Sequence, residues 1–323
     1  MFQVDPIIWL QTFESPFLTW LMGTITWLGY TPVYATILIV IFFSINLKKG
    51  FYIFLAMLIG GVIVDGMKRG LKFPRPSDLD SRIIEPGFER PPLLVENGGA
   101  PSFWSMPTSE AMEATKNQTN WSYGFPSGHV ASATAFLLAL AFFFKSRRIL
   151  VFSIIWILLM ALSRMYLGRH FIADVLAGMT VGGIGVLLAI FIVRPLQSNN
   201  KNVSVKSMSR WALLVIPLLI LAPFIEILDK ENIGRILALF LTYIVLLRIG
   251  FPPDKAVLWK RIARILLGIV LYFIVDSLLD PIMDSMEDNG NHIGLMGMVF
   301  LINFVLFMGT ILLAKRIKLF ESI

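Results

Sequence analysis

Two histidines in this chain have neighbours that would help them act as a nucleophile or transfer a proton. His170 and Asp174 are four residues apart, a spacing that places both side chains on one face of a helix. A carboxylate behind an imidazole fixes its tautomer and stabilises its cationic form, which suits a nucleophilic or basic histidine. His129 opens an apolar stretch directly after the residues PSG and is a second group able to transfer a proton.

Three cations accompany these histidines. Lys68 ends one apolar segment, Arg75 follows in the next loop, and Arg164 ends another segment. An arginine presents a planar fork of donors that suits phosphate oxygens. Ser127 and Gly128 lie at a helix start, where free backbone amides favour an anion and glycine permits close approach. Such a set of side chains is suited to phosphoryl transfer through a covalent phosphohistidine.

Membrane helices must position these residues. Of the 323 residues, 56% are hydrophobic, and the mean hydropathy of +0.75 is typical of a membrane protein. Nine apolar segments are predicted: 25–46, 51–67, 129–144, 149–166, 171–193, 211–227, 234–249, 262–279 and 293–314. The region 17–46 is interrupted at 29–32 and could be an interfacial helix followed by a span. The predicted fold class is therefore all-α, a polytopic transmembrane helical bundle of about nine spans.

The distribution of basic residues predicts the orientation of these spans. When the loop at Lys48 and Lys49 is placed in the cytoplasm, more than half of the 28 basic residues lie in loops on that side. The acidic loops at 229–231 and 280–288 then lie on the opposite side. The ionisable candidate residues all face that second, non-cytosolic side, which is periplasmic, extracellular or luminal. They are Lys68, Arg75, His129, Arg164, His170 and Asp174. Because topology accounts for the net charge of +7, we expect no nucleic-acid partner.

We expect three parts along the chain: an N-terminal interfacial segment at 1–24, a catalytic membrane core at 25–195, and additional transmembrane helices at 209–323. The outer loop of the core, 74–124, is predicted either to cap the site or to be a packed connector. Arg169, which directly precedes His170, is predicted to lie at the surface. Cysteine is absent, which excludes disulfides and thiolate ligands, and we expect neither a catalytic metal nor a cofactor. The oligomeric state is left open.

Three motifs carry a family resemblance. K-x6-R-P begins at Lys68, P-S-G-H ends at His129, and S-R-x5-H-x3-D begins at Ser163. In this order they resemble the signature of the type 2 phosphatidic acid phosphatase superfamily, over roughly residues 60–180. The resemblance implies a metal-independent phosphatase with a core of membrane helices.

The resemblance also implies a role for each matching residue. The histidine that matches His170 attacks phosphorus, the aspartate that matches Asp174 orients it, and the histidine that matches His129 protonates the leaving alcohol. The implied phosphate-binding residues are Lys68, Arg75, Ser127, Gly128 and Arg164.

The expected function is hydrolysis of a lipid phosphate or diphosphate monoester at the non-cytosolic face, with membrane lipids as partners. Phosphatidate, phosphatidylglycerol phosphate, polyprenyl diphosphate and sphingoid phosphates are all open as substrates. Two alternatives use the same chemistry: a phosphotransferase to a lipid or glycan acceptor, and a luminal sugar-phosphate phosphatase similar to glucose-6-phosphatase. A transporter is disfavoured because the charges cluster at one face and do not line a path across the membrane.

Each residue taken singly also has a purely structural explanation. Lys68 could be a flanking residue that reaches the interface, His129 an ordinary helix-start residue, and His170 with Asp174 a structural pair. Their joint occurrence, in one order and on one side of the membrane, favours a site.

Overall fold

The computed structural model describes residues 1–87, 93–118, 122–194 and 229–320, and the regular structure in these ranges is helical. The helices are α1 (Asp5–Gln11), α2 (Pro16–Trp27), α3 (Thr31–Val40), α4 (Leu47–Leu71), α5 (Ser109–Lys116), α6 (Gly128–Phe144), α7 (Arg147–Tyr166), α8 (Ile172–Val193), α9 (Lys230–Ile249), α10 (Leu258–Asp288) and α11 (His292–Arg316). A π-helical turn at Ile41–Ile45 continues α3, and a 3₁₀ turn at Pro76–Asp78 follows α4. The predicted all-helical fold class is confirmed.

Within the described ranges, six helices are long and apolar enough to cross a membrane. The pair Pro16–Trp27 and Thr31–Ile45, bent by 55°, makes a seventh if it is one broken span, and its break coincides with the predicted interruption at 29–32. Gly128–Phe144 is apolar but shorter. The predicted segment at 211–227 lies outside the described residues, so the number of nine spans stays a prediction.

The chain divides into two compact units, and the first comprises Met1–Val33 and Ile63–Val186. In it, α6 and α7 form a helical hairpin with a two-residue connection. Lys145 ends α6 in the left-handed conformation at φ 52°, and the Ser146 hydroxyl accepts a hydrogen bond from the Ile149 amide at 3.3 Å to cap α7. Because the connection is so short, the start of α6 and the end of α7 lie at the same end of the unit.

The outer loop is packed against the N-terminal segment of the same unit. Phe2, Val4 and Ile7 are buried with Leu79 and Ile83 in one apolar cluster. The Ala100 amide donates to the Phe2 carbonyl at 3.0 Å, which ties the loop to the first residues of the chain. The loop is thus a packed structure, and the N-terminal segment forms part of its core.

The second unit comprises Tyr34–Val62 and Leu187–Ile323. The hydroxyl groups of Tyr52 and Tyr243 lie 2.8 Å apart in its interior. The Asp254 carboxylate accepts hydrogen bonds from the Asn46 side chain at 2.7 Å and from the Leu47 amide at 2.9 Å. These contacts fix α4 to α9 and to the connection between α9 and α10, and the unit contains no predicted site residue.

Candidate active site

The eight predicted site residues lie at or beside the ends of four helices in the first unit. Lys68 is in the last turn of α4, Arg164 is in the last turn of α7, and Asp174 is in the first turn of α8. The others lie in or beside the same helix ends: Arg75, Ser127, Gly128, His129 and His170. Residues from sequence-distant motifs are therefore delivered by the fold to one end of one unit.

His170 and Asp174 form a buried couple. Nδ1 of His170 lies 3.3 Å from Oδ2 of Asp174, and both side chains are almost completely inaccessible. The backbone amide of Phe171 donates to the same carboxylate oxygen at 2.9 Å and so fixes its orientation. With Nδ1 turned toward the carboxylate, Nε2 is the nitrogen left for attack on a substrate.

The surroundings of His170 keep its imidazole neutral. Burial is the largest cause, and the cations of Arg164, Arg75 and Lys68 add to it, so that the pKa of His170 lies well below its ordinary value of 6.5. His129 also contributes to this lowering, which places both histidines and three cations within electrostatic range of one point. A neutral imidazole keeps the lone pair that a nucleophile needs.

The start of α6 meets the start of α8. The Ser127 amide donates to the backbone carbonyl of Asp174 at 2.9 Å. The Ser127 hydroxyl and Nε2 of His129 are buried and have no hydrogen-bond partner in the described part of the chain. A methyl group added at Gly128 would make only an ordinary contact, with Val64 at 3.8 Å, so the backbone here is not crowded. Unpaired polar groups at a helix start are suited to receive an anion.

Lys68 and Arg75 are held by the segment at Ser122 and Tyr123, and both arginines of the site have an unpaired donor among the described residues. Nζ of Lys68 donates to the Tyr123 carbonyl at 2.9 Å. Arg75 donates from Nε to the Ser122 carbonyl at 2.6 Å and from Nη2 to the Ser122 hydroxyl at 2.5 Å. Nη1 of Arg75 and Nε of Arg164 are buried without a partner among the described residues. Unsatisfied guanidinium donors are costly to bury, and a phosphate between them would satisfy both.

Close packing of α6 against α8 brings these groups together. A methyl group added at Gly178 would lie 2.6 Å from the Ser127 carbonyl oxygen, and one added at Gly182 would lie 2.5 Å from the carbonyl oxygen of Ala131. Two glycines four residues apart let helix backbones approach in a membrane protein. This approach sets the distance between the Ser127 end of α6 and the His170–Asp174 couple.

Sequence reasoning missed the acidic residues that organise the loop around Arg75. Oδ2 of the buried Asp78 accepts a hydrogen bond from the Arg75 amide at 2.8 Å. The buried carboxylate of Glu85 binds Ser77 through one oxygen and Arg169 through the other. Acidic residues are common in exposed loops and so give no signal by themselves. The one available signal was the spacing of Asp78, which lies three residues after Arg75 as in a helix-start cap.

The surface position predicted for Arg169 is wrong. Its guanidinium is paired with the fully buried carboxylate of Glu85, and only 22% of its side chain is accessible. The reason is that Glu85, which is 84 residues distant in sequence, lies directly against it. Among the described residues, no three His, Asp or Glu side chains are grouped as ligands for a metal ion.

Comparison with known proteins gives one family and one relative. The PAP2 superfamily model matches residues 49–198, a range that contains all eight predicted site residues. A lipid A 4′-phosphatase from Bacteroides thetaiotaomicron is 26% identical over 191 residues, which is 59% of this chain and 76% of the relative. No solved structure matches the chain. The resemblance predicted from the three motifs is therefore confirmed by a PAP2 superfamily match over residues 49–198, which are called the PAP2 region below.

Proposed function

We propose that this protein is a multi-pass membrane lipid phosphatase that releases phosphate from a lipid phosphate or diphosphate monoester through a phosphohistidine at His170. The PAP2 region, the lipid A 4′-phosphatase relative and the long apolar helices support a membrane lipid phosphatase. The observation that carries the mechanism is the buried His170–Asp174 couple together with Arg75 and Arg164, each of which has one buried donor without a partner among the described residues.

In the first step, the substrate phosphate binds among Lys68, Arg75, Arg164 and the amides at the start of α6. Nε2 of His170 attacks phosphorus, a phosphorus–nitrogen bond forms, and the bond to the lipid oxygen breaks. His129 donates its proton to that oxygen, so the lipid leaves as an alcohol. Cations placed where charge develops supply the largest share of the rate enhancement.

In the second step, water attacks the phosphohistidine from the side that the lipid has left. His129, now neutral, takes a proton from this water. The phosphorus–nitrogen bond breaks, His170 recovers its lone pair, and inorganic phosphate leaves. Asp174 stabilises the positive charge on the imidazole ring in both steps. No metal ion takes part in either step of this proposal.

The substrate is proposed to be a lipid. The relative is named as a phosphatase of lipid A, so phosphorylated glycolipids join phosphatidate, phosphatidylglycerol phosphate, polyprenyl diphosphate and sphingoid phosphates as candidates. A panel of these lipids with glucose 6-phosphate, assayed for phosphate release by the purified chain, identifies the class. Addition of a lipid or glycan acceptor to the trapped phosphoenzyme shows whether water or the acceptor receives the phosphate.

The active site is proposed to open at the non-cytosolic face, as the distribution of basic loops predicts. The chain has no native cysteine, so single cysteines can be labelled without background. Glu110→Cys in the outer loop should react with a membrane-impermeant maleimide added outside intact cells, whereas Arg148→Cys should react only after lysis. The reverse pattern would contradict the orientation.

The decisive test of the mechanism is replacement of His170. With a 32P-labelled substrate, the unmodified chain should form an acid-labile phosphoenzyme, and His170→Ala should form none and release no phosphate. His292→Ala is the matched control because His292 is exposed at the start of α11, outside the PAP2 region. Full turnover by His170→Ala would refute the proposal.

A further inference from the structure

The interruption between α2 and α3 lies directly against His129. The ring centroids of Tyr30 and His129 are 4.8 Å apart and the ring planes are at 84°, an edge-to-face contact. Such pairs are favourable beyond the area that they bury. Tyr30 is therefore a neighbour that restricts the rotation of the His129 imidazole.

Gly29 completes this contact. A methyl group added there would lie 3.0 Å from Cδ2 of His129, the ring carbon next to Nε2, and 2.7 Å from Cε of Met160. A side chain at residue 29 would therefore press on the imidazole and on Met160, and glycine leaves both in place.

The interrupted segment is anchored near the other end of the site. The hydroxyl groups of Thr26 and Ser163 lie 3.0 Å apart in a buried contact, and Ser163 directly precedes Arg164. The Gly29 amide donates to the Thr26 carbonyl at 2.9 Å. Movement of the Tyr30 backbone away from His129 would thus disturb contacts that are tied to α7.

We propose that Tyr30 is a positioning residue for the proton transfer to the leaving group. Its ring, with Gly29 beside it, holds the His129 imidazole so that Nε2 points at the lipid oxygen in the bond that breaks. Nε2 of His129 is buried and has no hydrogen-bond partner among the described residues, as expected of a nitrogen whose partner is the substrate. The inference rests on the proposed function, in which His129 is the acid, and it assigns a role to a residue outside the PAP2 region.

Leaving-group chemistry separates this role from a general structural one. An alkoxide is a poor leaving group and needs the proton from His129, whereas a nitrophenolate leaves as a stable anion without it. A defect in acid positioning therefore slows cleavage of an alkyl phosphate and spares cleavage of a nitrophenyl phosphate. A general structural defect slows both.

The test compares dodecyl phosphate with a dodecyl-substituted nitrophenyl phosphate in detergent, using the purified full chain and kcat/KM, which reports on events through formation of the phosphoenzyme. In Tyr30→Leu, we expect kcat/KM for the alkyl substrate to fall on the order of tenfold, while that for the aryl substrate stays within about twofold. Tyr30→Phe keeps the ring and should behave like the unmodified chain with both substrates. Trp27→Leu, which removes an exposed ring one helical turn earlier, should also change neither value.

His129→Ala provides the reference, with an expected loss of about 10²- to 10⁴-fold for the alkyl substrate only. If His129→Ala retains alkyl turnover, the acid role fails and the inference fails with it. If His129→Ala loses alkyl turnover but Tyr30→Leu does not, only the inference on Tyr30 is overturned. It is also overturned if Tyr30→Leu loses both activities equally, or if Tyr30→Phe loses as much as Tyr30→Leu.

Discussion

Gly178 lies in the contact between α6 and α8 and outside the candidate site, yet its replacement is predicted to slow catalysis. An alanine methyl group at 178 would lie 2.6 Å from the Ser127 carbonyl oxygen, whereas ordinary contact begins at 3.4 Å. The obstacle is backbone, which cannot rotate aside, so the two helices must separate by the 0.8 Å difference between these values. Ser127 and His129 then move relative to His170 by a similar distance.

The effect of a displacement of this size on the reaction rate can be estimated. A misplacement of about 1 Å between reacting groups costs on the order of 10²-fold in rate, which is about 2.7 kcal/mol of transition-state stabilisation. We therefore expect Gly178→Ala to lower kcat for phosphate release from a short-chain lipid phosphate about 10²-fold. Because the helix ends also lose packing, a decrease of about 1–3 kcal/mol in the free energy of unfolding is expected.

Gly183→Ala is the matched control. It lies on the same helix, and an added methyl group there would meet nothing within 4 Å. This change should leave kcat unchanged and, because alanine is a better helix former, stabilise the chain by up to about 1 kcal/mol. Both variants are assayed in one detergent with thermal unfolding measured in parallel. If Gly178→Ala keeps kcat within twofold of the Gly183→Ala value, the argument that close helix contact sets the site geometry is wrong.

Three further predictions concern the chemistry itself. Asp174→Asn should lower kcat about 10⁴-fold because an amide stabilises the wrong imidazole tautomer, and retention of a tenth of the activity would contradict the orientation seen for His170. Since only neutral His170 attacks and its pKa is held below 6.5, protonation of His170 should not lower kcat/KM until pH is well below that value. A fall centred at pH 6.5 or above that persists in Asp174→Asn would contradict this. Activity should survive dialysis against a chelator yet be inhibited by vanadate, so loss of turnover that added Mg²⁺ or Zn²⁺ restores would count against the metal-independent mechanism.

The sequence indicates the candidate site residues because their types are conspicuous at helix ends in an apolar chain. A lysine such as Lys68, an arginine such as Arg164 and a histidine such as His129 are costly near membrane depth, so each is already a candidate. The couple at 170 and 174 follows from helical spacing alone. The helices were predictable for the same reason, since long apolar runs have few other stable forms in a bilayer.

The supporting residues could not be predicted because their signals are ordinary. Glu85 and Asp78 lie in a polar loop where acids carry no cost, and only tertiary packing buries them. Tyr30 is one of many aromatic residues in this chain, and its contact with His129 spans 99 residues of sequence. Gly178 is distinguished from Gly183 only by what faces it across the helix contact.

The support of the site begins well before residue 49, where the family match starts. The Gln11 side chain donates to the Tyr166 carbonyl at 2.9 Å, and the Thr19 hydroxyl lies 2.8 Å from that of Tyr166. With the contact of Thr26 at Ser163, these bonds fix the end of α7 that carries Arg164. Removal of the first 48 residues would remove these partners of the Tyr166 hydroxyl and carbonyl, at a cost of about 1–3 kcal/mol each. The N-terminal segment therefore supports the candidate site together with the motif-bearing helices, although the three motifs lie only in the latter.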